Sequence, residues 1–115
     1  MKDPFPVRRR NMTETNIVAS TILKQLCHGP VGRLVAMIGA HTFVAGAYNV
    51  AFRFKARAKN GSNCVKITLG ASDTYRVEFV SLRGVKATVK AEFSDVYAED
   101  LKPMFERETG LYLSL

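Results

Sequence analysis

The clearest signal in the chain is a period of two in its apolar positions. Phe52, Phe54, Ala56 and Ala58 alternate with Arg53, Lys55, Arg57 and Lys59, and Val65, Ile67 and Leu69 enclose Lys66 and Thr68. Tyr75, Val77 and Phe79 enclose Arg76 and Glu78, and Val85, Ala87, Val89, Ala91 and Phe93 enclose Lys86, Thr88, Lys90 and Glu92. Each run predicts a strand with one buried and one wet face. The segments between them are turn formers: Asn60-Gly61, which predicts a tight hairpin, then Gly70 to Asp73 and Arg83-Gly84. Four strands joined by such short links predict an antiparallel meander.

The flanking segments change period. From Thr13 the apolar residues Val18, Ile22 and Leu26, with Ala19 and Leu23, form one stripe at helical spacing, stopped by His28-Gly29-Pro30. Leu34 to Ile38 and Thr42 to Ala45 are apolar runs separated by Gly39-Ala40-His41; they predict two short buried strands, or a strand and a turn. Ser94-Asp95 or Asp100 can start a second helix that runs to about Glu108 and stops at Gly110, with Leu101, Met104 and Phe105 inward. Pro103 fits only in its first turn. Leu111 to Leu115 is too apolar for a solvated tail, so it packs on the core or pairs as an edge strand.

Residues 1–12 have no apolar period; with Pro4, Pro6 and Arg8-Arg9-Arg10 they read as a basic flexible arm, and Met12 offers an alternative start. Residues 13–115 are then a single α+β domain. The expected architecture is an N-terminal helix, an antiparallel β-meander of at least four strands, and a C-terminal helix packed on one sheet face, a two-layer sandwich.

Length and composition agree with this. A chain of 115 residues buries one core, and 47% hydrophobic with 23% charged residues is globular rather than disordered. Cys27 and Cys64 are too few for a disulfide scaffold and lack zinc-ligand spacing, which predicts two reduced thiols. No apolar run approaches the ~20 residues that span a bilayer, and the basic opening is not followed by a signal-peptide core, so the expected setting is cytoplasmic, without a membrane partner.

The net charge of +7 is unevenly placed. Residues 50–93 hold Arg53, Lys55, Arg57, Lys59, Lys66, Arg76, Arg83, Lys86 and Lys90 against Asp73, Glu78 and Glu92, whereas residues 94–115 are acidic on balance. If the alternation is kept, Arg53, Lys55, Arg57, Lys66, Arg76, Lys86 and Lys90 line one sheet face. Like charges packed together repel unless an anion neutralises them, and nucleic-acid phosphates are the commonest such anion. The expected site is this face with Arg8, Arg9 and Arg10, making backbone contacts to DNA or RNA. An acidic protein partner would be drawn to the same face, and a solvated face can also use long cations simply to cover its strands. A homo-oligomer is compatible with either.

Enzymatic chemistry has little to stand on. Only His28 and His41 are available as imidazole bases, and His28 follows Cys27 at a helix end, where neighbours point apart. Glu78 and Glu92 are the only acids on the predicted strands outside turns, too few to hold a catalytic metal. Gly29-Pro30-Val31-Gly32 is neither a P-loop nor a dinucleotide turn. No cofactor, metal or catalytic residue is expected.

Leu34-Val35-Ala36-Met37-Ile38-Gly39-Ala40 with Phe43-Val44, Phe52-Arg53 with Ala58-Lys59-Asn60-Gly61, Val65 to Leu69, Tyr75 to Phe79, Tyr97 to Leu101 and Thr109 to Tyr112 carry a resemblance to short uncharacterised proteins encoded by bacteriophages and bacterial mobile elements. The likeness runs from about Asn16 to Leu115. It departs at the basic arm before Met12 and at Pro103. It implies an accessory protein that handles nucleic acid, or a small adaptor, inhibitor or virion-associated protein that binds a host or phage protein; no activity is assigned to the family.

Overall fold

In the computed structural model, residues 7–28, 32–70 and 72–113 are described, with side chains in the first helix described from Ile17 onward. The elements are α1 (Val7–Cys27), α2 (Gly32–Ile38), β1 (His41–Ala45), β2 (Asn49–Arg53), β3 (Cys64–Leu69), β4 (Tyr75–Arg83), β5 (Lys86–Val96), a single 3-10 turn (Ala98–Asp100) and α3 (Leu101–Thr109). The strands form one antiparallel sheet in the order β1-β2-β3-β4-β5, a meander in which every link joins neighbours.

The α+β class and the meander are as expected. Thr42 to Ala45 lie in a strand, β1, which makes the fifth of the sheet but is largely exposed rather than buried. Leu34 to Ile38 is not a strand. It is the helix α2, because Leu34 and Ile38, four residues apart, put one face into the core while Val35 stays wet. Helix α1 starts at Val7, upstream of Thr13, so the backbone of Arg8 to Arg10 is helical; residues 1–6 lie outside the described residues. Its end is at Cys27, where His28 takes the left-handed conformation (φ 53°).

Both long helices lie on one face of the sheet. Ala19, Ile22, Leu23 and Leu26 of α1, and Leu101 and Phe105 of α3, meet Val50, Phe52, Val65, Ile67, Val77 and Phe79 in one apolar cluster. The Phe105 ring stands 5.7 Å from Phe54 and 5.9 Å from Phe79, inside the range of favourable aromatic pairs. Asp100 precedes α3, Pro103 sits in its first turn, and Gly110 ends it in the left-handed conformation (φ 74°). After it, Leu113 is fully buried and its N–H donates to the Glu106 carboxylate (2.8 Å), which folds the tail back on the helix.

The largest departure from the strand pattern follows Arg53. Strand β2 ends there, and Phe54 to Asn63 form an irregular loop instead of the second half of a hairpin. The alternation of buried and exposed positions persists, with Phe54 and Ala58 in the core and Lys55 and Arg57 in solvent. Its backbone bonds, however, go elsewhere: the N–H groups of Lys55 and Ala56 both donate to the Ile38 carbonyl (3.1 Å each), at the end of α2. Asn60-Gly61 is indeed a turn, with Gly61 at φ 81°, but it belongs to this loop. The tight hairpin lies at Gly84-Val85, between paired Arg83 and Lys86, with Gly84 at φ 61°.

Candidate nucleic-acid interface

The seven cations expected on one sheet face divide into two groups. Arg53, Lys66 and Arg76 lie on the helix-free face, and acids interrupt them: Lys66 is opposite Glu78, Glu78 is opposite Glu92, and the Arg76 guanidinium is ion-paired with the Glu92 carboxylate. Around them are Val44, Ala51, Val80, Leu82 and Val89, so this face is mixed rather than basic. Cys64 is buried on it opposite Arg53; burial pushes its thiol above the ordinary value, partly opposed by the Arg53 charge. A thiol held protonated is a poor nucleophile.

Lys55 and Arg57 leave this face with the loop. Together with Lys59 and with Arg83 of β4 they line a groove of about 480 Å³, completed by Phe54, Ala56, Ala58, Gly61, Ser62, Asn63 and Ser81. No acid lines it. Lys86 is paired across the hairpin with Arg83, and the Lys90 side chain reaches Gly61, within 3.5 Å of where a Cβ would stand there. Lys90 is the extra residue of a bulge, since Phe79 pairs with Ala91 and Val80 with Val89. Among the described residues six cations therefore gather at one end of the sheet, and Lys59 and Arg83 are members that the expected site did not include. The charge excess of residues 50–93 contained both, and their shared location needed the fold.

The groove is rigidly built. Phe54 and Ala58 anchor the loop in the core, and the Lys59 N–H donates to the Thr109 carbonyl (2.8 Å), tying it to the end of α3. The Asn60 side-chain oxygen accepts from the Ser62 N–H (3.0 Å) and hydroxyl (2.6 Å). Asn63 substitutes for a strand residue: its amide donates to the Leu82 carbonyl (2.9 Å) and its oxygen accepts from the Leu82 N–H (2.7 Å). The backbone that carries these cations is therefore ordered before any anion binds.

Arg8, Arg9 and Arg10 are on α1, but their side chains lie outside the described residues. Among the described residues no three His, Cys, Asp or Glu side chains are grouped to hold a metal ion, and no helix is long and apolar enough to cross a membrane. The Cys27 thiol donates to the Leu23 carbonyl (3.1 Å), and the His41 ring bonds the Thr42 hydroxyl (2.8 Å). No family model, curated protein or solved structure matches the chain.

Proposed function

We propose that this protein is a non-enzymatic binding protein that holds the sugar-phosphate backbone of nucleic acid in the groove between the 54–63 loop and the β4–β5 hairpin. The observation that carries this reading is the convergence of Lys55, Arg57, Lys59 and Arg83 on one groove that no acid among the described residues lines. Unneutralised cations at such spacing raise the local concentration of phosphate, and each contact releases condensed counterions. The resemblance to phage and mobile-element proteins supports an accessory role in handling nucleic acid.

The test is retention of a labelled polynucleotide by the purified full chain across a salt series. Affinity should fall steeply with salt, with a log–log slope of roughly −3 to −4 for four phosphate contacts. Absence of retention at low salt removes the reading. A second reading, an adaptor for an acidic protein, draws support from Val44, Val85 and Val89, which are exposed and serve no phosphate contact. It predicts capture of an acidic partner that survives nuclease treatment.

A further inference from the structure

Phe52, Phe54, Tyr75 and Phe79 are buried, whereas Phe43, Tyr48, Tyr97 and Tyr112 are exposed. Tyr112 follows the segment that bonds Lys59 of the groove. It is 69% exposed, held between half-buried Leu111 and fully buried Leu113. The segment that carries it is fixed to the groove: the Lys59 N–H bonds Thr109, and the Lys59 side chain lies 3.4 Å from where a Cβ on Gly110 would stand, two residues before Tyr112. Leu113 and the Leu111 N–H, which donates to the Thr109 hydroxyl (3.2 Å), hold the segment on both sides of the ring.

We infer that the groove takes a single-stranded polynucleotide, with its phosphates on Lys55, Arg57, Lys59 and Arg83 and one base stacked on Tyr112. This rests on the reading of the groove as a backbone site. A positively charged groove beside an exposed ring is the arrangement that holds single strands, because every base has a face to stack and the cations follow the backbone. A single strand can offer both its phosphates and an unstacked base to such a site, whereas a duplex keeps its bases stacked inside and leaves Tyr112 without a partner. Tyr112 also suits the role energetically. It is already solvent-exposed on a backbone pinned by Leu113, so stacking orders little that is not already ordered.

The experiment compares oligodeoxythymidylate, oligouridylate and a mixed-sequence duplex on the wild type, Tyr112→Ala and Tyr112→Phe. The chain has four tyrosines and no tryptophan, so the part of the tyrosine quenching that disappears in Tyr112→Ala reports the stacking on Tyr112. The inference expects both single strands to bind more tightly than the duplex and to quench emission. Tyr112→Ala should weaken single-strand binding about tenfold or more while Tyr112→Phe keeps it, because the phenyl ring still stacks. A tighter grip on the deoxy or the ribo strand identifies the sugar preferred. Equal affinity for duplex and single strands, unchanged in Tyr112→Ala, overturns the inference but leaves the basic groove standing. Retention of no polynucleotide overturns both. Tyr112→Ala should melt with the wild type, which separates loss of stacking from loss of fold.

Discussion

Two regions of this protein carry comparable numbers of cations and use them differently. On the helix-free sheet face Arg53, Lys66 and Arg76 sit on regular strands, where the pairing register brings Glu78 and Glu92 among them and Arg76 is already paired. In the groove Lys55, Arg57, Lys59 and Arg83 sit on an irregular loop and a strand end that no acid shares. Strands distribute side chains by register, so charges of both signs are mixed wherever the sequence mixes them. A loop pinned by buried anchors can gather one sign only. The gathering of these cations therefore follows from where β2 stops.

The comparison breaks first at the anchor. Replacing Phe54, which is buried beneath the loop against Phe52 and Phe105, by Ala should cost about 3–5 kcal/mol in urea denaturation and take polynucleotide affinity with it. Val80→Ala, at a half-buried position of the other face, should cost about 1 kcal/mol and leave affinity unchanged. An unchanged affinity in folded Phe54→Ala would show that the loop does not need its anchor to bind.

Charge reversal tests the two regions directly. Arg57, Lys59 and Arg83 are all exposed, so their simultaneous change to Glu should keep the melting temperature near that of the wild type. Nucleic-acid binding should fall by about a hundredfold or more at low salt, since three phosphate contacts become repulsions. The same reversal of Lys66 alone should change affinity less than about threefold. The reverse ranking would move the site to the sheet face.

Asn63 sharpens the boundary between strand and loop. In Asn63→Ala the Leu82 N–H and carbonyl lose both partners, a loss of about 1–3 kcal/mol, and the Leu82 amide should exchange its hydrogen faster than its strand neighbours. Equal exchange in variant and wild type would show that β3 extends through this position without its side chain.

The smallest effect is alkaline. Burial raises the Cys64 thiol, and burial followed by the Asp73 charge raises the Tyr75 phenol, whose hydroxyl donates to Gln25. Both groups keep their protons longer in the folded chain than in the unfolded one. The stability they contribute is thus complete below the ordinary thiol range, near pH 8.5, and is lost as pH rises through the raised values. Denaturation at pH 7 and pH 10 should show the decline, and Cys64→Ala should remove part of it; a flat profile would contradict the burial of these groups.

Local pattern determined much of this protein. The period of two in Val65 to Leu69 and Tyr75 to Phe79 is a direct consequence of burying one face of a sheet, so β3 and β4 were legible without coordinates. β5 was legible as a strand, but Val85, Ala87 and Val89 are exposed rather than buried, because Val85 lies in the turn and the bulge at Lys90 turns Ala87 and Val89 to the helix-free face. The stripe of Ile22, Leu23 and Leu26, and the punctuation of α3 by Pro103 and Gly110, were legible for the same local reason. What local pattern leaves open is which partner a backbone takes. Phe54 to Ala58 keep the alternation of a strand, yet the Lys55 and Ala56 N–H groups find Ile38 rather than β3. Leu34 to Ile38 supply that carbonyl only because they are a helix whose apolar face is covered by the core. A five-residue apolar run has no preference strong enough to decide between helix and strand before the core closes on it. The grouping of Lys55, Arg57, Lys59 and Arg83 depends on those tertiary bonds and is decided only by the assembled fold.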